Sequence, residues 1–537
     1  MPPKFRVLIA DDLSPRAVEI LAAHPDIAVE VKTGLKGPEL LSALKGVSGL
    51  AVRSATKVTA EVLEGAPELR IVGRAGIGVD NIDVKAASRR GVIVMNTPSG
   101  NAITTAEHAL FLLCSLARHI PQATASMKAG KWDKKKFSGV ELFDKTLGVI
   151  GLGNIGRIVA ERALGLKMKV VAYDPVLTVE AAERLGVELL PLEEVWKRAD
   201  AITVHTPLTP ETRGLIGREA LVKMKDGVLI VNAARGGIVD ETALLEGLKS
   251  GKVAGAALDV FAEEPPPKDH PLIAHEHVIC TPHLGASTEE AQEKVAVEVA
   301  EQLVAYLTRG EIKNAINVPK VAVEHQARLQ PFLELASKMG LFLGQLAPGI
   351  QAVDIEVVGD VAEVGTKAIG GAALAGLLRP HLDVPVNEVN AQLLAVERGL
   401  RVTETMRARG ENFTTSVTLT VVSLQDGRTV ESSVKGTVFA TGTGPAPRIV
   451  RIDRFFIEVL PEGRHLVLRN EDRPGVIGAV GTILGSRGIN VSRMQVALDQ
   501  PKTEALQLWN VDADLDLAAL DAIRKVPGVK SASVVSL

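Results

Sequence analysis

Short aliphatic, β-branched runs recur through the first three hundred residues at 7–10, 49–53, 70–73 and 92–96, each closing on Gly, Ala, Arg or Asn. Between them lie stretches such as 15–23 whose apolar residues fall on one helical face. Strands alternating with helices predict a parallel α/β sheet. Later strands are expected at 201–205, 227–232, 255–260 and 277–280, followed by a long polar-apolar helix over about 287–308. Beyond Asn317-Val-Pro-Lys320, which reads as an exit linker, the texture changes. Strands are expected at 352–358 and 415–423, with a small-residue run at 368–378 and a Thr/Gly/Pro loop at 441–447. The final residues alternate again: strand 465–469, helix 476–487, strands 489–498 and 503–511, helix 517–525, strand 531–535. That βαββαβ order predicts a ferredoxin-like plait.

The strand beginning at Lys145 runs into Gly151-Leu-Gly153-Asn154-Ile155-Gly156, then a helix, then a second strand ending at Asp174. Gly151 permits the tight turn, Gly153 lets the backbone close on a pyrophosphate, and Gly156 lets the helix pack near the sheet, with the diphosphate facing free helix amides. About 20 residues on, Asp174 is placed to accept hydrogen bonds from a ribose and to repel a 2'-phosphate. The pattern therefore predicts NAD rather than NADP.

Composition narrows the rest. Three or four domains fit 537 residues, and Lys+Arg 61 against Asp+Glu 64 gives a formal charge of −3, no global reason to expect nucleic acid or a membrane surface. Two distant cysteines, Cys114 and Cys280, predict neither a disulfide framework nor a metal site. The N-terminus enters a strand without an apolar signal core, and no apolar run is read as reaching the roughly 18 residues that span a bilayer. A cytoplasmic protein is expected.

Three segments at expected strand ends carry reactive groups: Asn232-Ala233-Ala234-Arg235, Asp259 to Glu264, and Thr281-Pro-His283. Oxidising a 2-hydroxy acid needs a base for the hydroxyl proton, a cationic fork for the carboxylate, and a group that orients the base. Those roles are assigned to His283, Arg235 and Glu264. Glu264 beside His283 raises the imidazole pKa and stabilises the imidazolium.

At these residues the chain resembles the D-isomer-specific 2-hydroxyacid dehydrogenase family. The likeness is carried by Gly73-Arg-Ala-Gly-Ile-Gly-Val-Asp-Asn, Met95-Asn-Thr-Pro, Gly130-Lys-Trp, Gly236-Gly-Ile-Val-Asp and His283-Leu-Gly-Ala-Ser-Thr. It implies catalytic Arg235, Glu264 and His283, and NAD contacts at Asn154, Ile155, Asp174, Thr206, Pro207, Ala233, Ala234, Asp259 and Gly285. It also implies a Rossmann-type cofactor domain (99–286) inserted in a flavodoxin-like substrate domain (1–98 and 287–316). An α+β intervening domain (317–455) and an ACT domain (456–537) follow. The long members of the family oxidise 3-phosphoglycerate to 3-phosphohydroxypyruvate at the start of L-serine biosynthesis. A substrate bearing both carboxylate and phosphate needs extra cations, for which Arg53 with Ser54, Arg74, and Lys135 within 131–136 are the candidates. The segment Asn470-Glu-Asp472-Arg-Pro-Gly, with Asn490 later, resembles the effector notch of ACT domains and implies L-serine binding. A homotetramer is implied by the family. The competing readings are a glyoxylate or hydroxypyruvate reductase and a corepressor built on the same fold.

Overall fold

The computed structural model describes residues 3–319, 323–382, 384–409, 413–425, 427–442, 444–500 and 502–537. Lys320 of the expected linker and Thr443 of the expected loop lie outside the described residues. Contacts group the chain into two compact units, one of residues 1–57, 72–81 and 95–314, the other of residues 58–71, 82–94 and 315–537.

Two sheets organise the first three hundred residues. The smaller has strands Phe5–Ile9, Ile27–Val31, Gly49–Val52, Ile71–Arg74 and Ile93–Asn96 in spatial order 2-1-3-4-5, as expected for a flavodoxin-like domain. The larger has seven strands, Thr146–Ile150, Lys169–Tyr173, Glu188–Leu189, Ala201–Val204, Val228–Asn232, Val253–Leu258 and Val278–Cys280, all paired in parallel in the order 3-2-1-4-5-6-7. Its strand order reverses between the strands ending at Ile150 and Val204, which is where a doubly wound sheet opens a ligand crevice. The strands Ala201–Val204 and Val228–Asn232 at the middle of the sheet are buried throughout, and Thr146–Ile150 at all but its first residue, because helices cover both faces.

The long helix is Glu289–Arg309, capped by Thr288 through the Ala291 amide and ended by Gly310 in the left-handed region. Val299 and Leu303 lie over Gly73 so closely that a Cβ there would come within 2.5 Å of Val299. A glycine in that strand is therefore a packing requirement.

The second unit holds a six-stranded sheet, in spatial order Arg401–Arg407, Ile350–Val358, Ser416–Gln425, Arg428–Thr441, Gly444–Ile452 and Phe455–Val459. The expected loop at 441–447 is in fact the turn and first residues of a hairpin, with Thr441 paired to Gly444. Helices Val323–Leu346 and Asp360–Leu378 pack on this sheet. The small-residue run has a mechanical reason: a Cβ on Gly376 would sit 1.9 Å from the Ser337 carbonyl, and one on Gly340 2.0 Å from that of Ala373. Only glycines let the two backbones come so close. The segment 360–381 is long and apolar enough by composition to cross a membrane, which corrects the reading of apolar runs above, and 67% of it is buried inside the protein as a core helix.

The last sheet is the expected plait, with strands Arg464–Glu471, Val491–Leu498, Glu504–Val511 and Val529–Ser536 antiparallel in the order 2-3-1-4 and helices Val476–Gly485 and Leu517–Arg524 between them. One hydrophobic core runs from Leu329 and Phe342 through Phe455 to Val467, Leu506 and Val535 on one face of the last sheet, while the other face closes with its helices around a separate core that includes Leu468, Val480, Trp509 and Ile523. Phe342→Ala should cost about 3–5 kcal/mol in chemical denaturation. A loss below about 1 kcal/mol would mean the core does not close around that ring.

Candidate active site

The glycine turn is built as its residue types require. Gly151 has φ +92°, and a Cβ there would meet the His205 carbonyl at 2.7 Å. A Cβ on Gly156 would stand 1.9 Å from the Gly151 carbonyl, whereas Gly153 opens on empty space. The carboxylate of Asp174 accepts the Leu152 amide at 2.8 Å and the amides of Val176 and Leu177 at 2.9 and 3.1 Å. It thus ties the glycine turn to the next strand. Thr206 Oγ1 is buried without a hydrogen-bond partner at the switch point. An orphaned hydroxyl beside an open glycine cradle fits a dinucleotide. Asn154 is exposed and donates to the Pro98 carbonyl, Ile155 is half-buried, Pro207 is exposed, and Ala233 and Ala234 are buried in the turn before Arg235.

Arg235 lies on a turn shaped by Asn232, whose side chain accepts from the Ala234 amide and donates to the Arg235 carbonyl. Its Nε donates to Asp80 at 2.8 Å and its Nη1 to the Ala234 carbonyl at 2.7 Å. The guanidinium passes directly over Gly78, where a Cβ would lie 1.6 Å from Nη2. The loop beneath is pinned: Thr97 Oγ1 accepts the Gly76 amide, Asn96 donates to the Ile77 carbonyl, and Asn81 donates to the carbonyls of Arg53 and Thr56. Asp80, Gly78 and Asn81 all stand in the glycine-rich motif read in the sequence, where no role was assigned to them.

Arg74 is the cation most altered by its surroundings. Burial, then the fields of Arg235 and Arg53, lower its guanidinium to about 10, still protonated at neutral pH. Its Nη1 donates to the Ala75 carbonyl, and its buried Nε has no partner. Three guanidiniums therefore share one neighbourhood, with Asp80 and Asp11 as the nearby acids. The Arg53 amide is held by Asp11, and its Nη1 donates to the Asp12 carbonyl. Ser54 is exposed beside it. Lys135 lies on an exposed 3-10 turn, Lys134–Phe137, and among the described residues no bond joins it to the arginines.

His283 Nδ1 donates to Glu264 Oε2 at 2.8 Å. That hydrogen bond raises the imidazole above its ordinary value, against burial and the field of Arg235. Burial works to raise the Glu264 carboxyl, and the His283 hydrogen bond with the Phe261 amide outweighs it, holding the group below its ordinary value. His283 itself sits at φ +54°, a conformation costly for a residue with a Cβ. Asp259 stabilises it. At 1% exposure its Oδ1 accepts from Thr281 at 2.6 Å and the Leu284 amide at 2.7 Å, its Oδ2 from the Gly285 amide at 2.8 Å, and its carbonyl from the His283 amide. Asp259 and buried Gly285 thus frame the His283 loop. His108, overlooked in the sequence, completes this frame with Nε2 at 3.2 Å from Asp259 and 3.1 Å from Thr281.

In the last domain Asp472 and Asn490 are exposed at the expected notch. Asn470 is 2% exposed: its Oδ1 accepts from Gln507 and its Nδ2 donates to the Glu471 carbonyl, while Gln507 in turn accepts from Trp509.

Residues 110–285 match the family model for the D-isomer specific 2-hydroxyacid dehydrogenase, NAD binding domain, 328–453 that for the D-3-phosphoglycerate dehydrogenase intervening domain, and 465–528 that for the ACT domain. Over 535 residues, 99% of this chain and 100% of the relative, the chain is 43% identical to a D-3-phosphoglycerate dehydrogenase of Methanocaldococcus jannaschii. It belongs to the D-3-phosphoglycerate dehydrogenase family. One from Bacillus subtilis is 41% identical over 99% of this chain and 100% of its own length. Among solved structures, the TT0316 protein of Thermus thermophilus covers 58% of this chain and 100% of its own, at 38% identity and TM-score 0.54. A D-lactate dehydrogenase of Aquifex aeolicus, complexed with NAD and lactic acid, covers the same shares at 28% identity and TM-score 0.52. The chain is accordingly an NAD-dependent oxidoreductase.

Because Asp174 both closes that turn and faces the cradle, Asp174→Ala should weaken NADH about tenfold or more in a fluorescence titration. Unchanged affinity would remove it from cofactor binding.

Proposed function

We propose that this chain oxidises 3-phospho-D-glycerate to 3-phosphohydroxypyruvate, the reaction for which its full-length relatives are named. The observation that carries the reading is the crowding of Arg53, Arg74 and Arg235 within the dehydrogenase unit. Three guanidiniums against two acids leave one positive charge in excess, and one of the three is buried with an unpartnered Nε among the described residues, which supports an anionic ligand there.

Within this reading each residue has a defined task. Arg235, with Nε on Asp80 and one Nη1 hydrogen on Ala234, keeps its outer fork free to take the carboxylate in two parallel hydrogen bonds. Arg53 and Arg74 take the phosphate, with Ser54 at the rim. His283 keeps its proton on Nδ1 toward Glu264, leaving Nε2 to remove the proton of the C2 hydroxyl. Glu264 stabilises the imidazolium so formed. NAD, held at Gly151, Gly153, Asp174 and Thr206, supplies the hydride acceptor.

Regulation by L-serine at Asp472 and Asn490 belongs to the same reading, supported by the ACT match and by the exposure of both side chains. A homo-oligomer is supported by Phe111, Trp132 and Phe143, 62, 79 and 66% exposed, and by a helix, Ile120–Lys128, without one buried residue. Lys135 belongs to that exposed stretch, so its approach to substrate is assigned to a neighbouring subunit's site. The four-domain division given above is retained, as is a cytoplasmic setting.

A coupled assay should show NADH consumption with 3-phosphohydroxypyruvate. His283→Ala should reduce turnover by about 10²–10⁴-fold with NADH affinity unchanged, and Arg53→Ala should raise KM for the phosphorylated acid about tenfold or more. Near-normal kinetics in both variants would overturn the assignment. In equilibrium dialysis, L-serine should bind the full chain and be lost in Asn490→Ala. No serine bound at millimolar levels would remove the regulatory part alone.

A further inference from the structure

The loop that delivers Glu264 is held from outside by two residues that carry no assigned role. Glu241 is the first residue of the helix Glu241–Ser250. A carboxylate at such a position normally serves its own helix's free amides. Here Asp240 already caps the helix, accepting the amides of Thr242 and Ala243, and Glu241 reaches elsewhere. Its Oε1 accepts the Ala262 amide at 2.7 Å and its Oε2 meets His270 Nε2 at 3.1 Å. The His270 ring stands edge-on to Phe261, with centroids 5.5 Å apart and planes at 75°. The Phe261 amide in turn donates to Glu264 Oε1 at 3.1 Å, and Glu264 Oε2 accepts from His283. Two consecutive backbone amides thus end on two glutamates, one facing the reaction and one facing away. From the opposite side Gly236 lies against the same peptide, where a Cβ would come within 1.7 Å of the Phe261 carbonyl. The 261–262 peptides are clamped between the Arg235 turn and the Glu241–His270 pair.

We propose that Glu241 and His270 are positioning residues which, by gripping the 261–262 backbone, fix the distance between the Glu264 carboxylate and the His283 imidazole. This rests on the reading of His283 as the base. Neither residue touches substrate; both act through Glu264. The charged groups facing His283 are Glu264, Asp259 and Arg235, and the group facing Glu241 is His270. Release of the clamp lets Glu264 recede, and the imidazole pKa falls toward its ordinary value because the Glu264 hydrogen bond is what chiefly raises it. Oxidation needs neutral His283, so its acid limb moves to lower pH. Reduction needs the imidazolium, so its alkaline limb moves the same way.

The test follows the His283 imidazole by NMR in the histidine-labelled full chain, assigned with His283→Ala, alongside the pH profile of kcat/KM for 3-phosphoglycerate. Glu241→Ala should lower both midpoints by about half a unit or more, reduce kcat several-fold and leave NADH affinity unchanged, with Glu241→Gln, which keeps an acceptor for the Ala262 amide, falling between. His270→Gln should move them in the same direction. Asp240→Ala removes the helix cap without touching the loop, and should lower thermal stability while leaving the His283 midpoint where it is. Should Glu241→Ala fail to fold, Glu241→Asp, which is shorter by one methylene, carries the same measurement. Coincident midpoints in wild type and Glu241 variants, or an equal shift in Asp240→Ala, would overturn the proposal. Absence of turnover with an intact NMR shift would instead count against the substrate reading and in favour of the clamp.

Discussion

A single buried carboxylate sets the conditions under which this site exists. Asp259 directly follows the largely buried strand Val253–Leu258, and taking its charge out of water would be prohibitive without compensation. The compensation comes from two amides, a hydroxyl and an imidazole, and each of those partners belongs to the active-site wall. By requiring the amides of Leu284 and Gly285, the carboxylate dictates the course of the backbone on leaving His283, and with it the left-handed conformation of that residue. The strain at His283 is thereby balanced by the same hydrogen bonds that solve the burial of Asp259. Remove the charge and both the strain and the orphaned amides remain.

The electrostatics of the crevice follow from where counter-charges are placed. Glu264 is given to the imidazole and Asp80 to the Nε edge of Arg235, so neither acid lies between the guanidiniums and a ligand. Arg74, buried and facing two like charges, is the least comfortable group in the set, and its partial desolvation strengthens its pull on an incoming anion.

What the sequence disclosed divides along physical lines. Strands and helices, the glycine turn, the pairing of Glu264 with His283 and the plait at the end are all consequences of short-range pattern or of residue types that have few alternative uses. The groups that escaped notice act through tertiary contact. His108 sits within a helix, 151 positions from Asp259, and nothing in its neighbours distinguishes it from a surface histidine. Asp80 was quoted within a motif, but its bond to Arg235 spans 155 positions. A polar residue at a strand end such as Asn470 is normally solvated, and its interior partners in the Gln507–Trp509 chain are not legible in the sequence. The hairpin at 441–447 was taken for a loop because Thr, Gly and Pro mark turns more strongly than they mark edge strands.

The apolar contact between one face of the last sheet and the neighbouring domain's core has a bearing on how the chain can be cut. Leu506, Leu508 and Val535 of the plait stand in the same apolar mass as Phe342 and Phe455. Cutting the chain at about residue 460 would therefore strip both fragments of part of their interior and leave sticky faces behind. The last domain keeps its own core under its two helices, but its other sheet face is packed, so a displacement of that face is felt as side-chain movement next door.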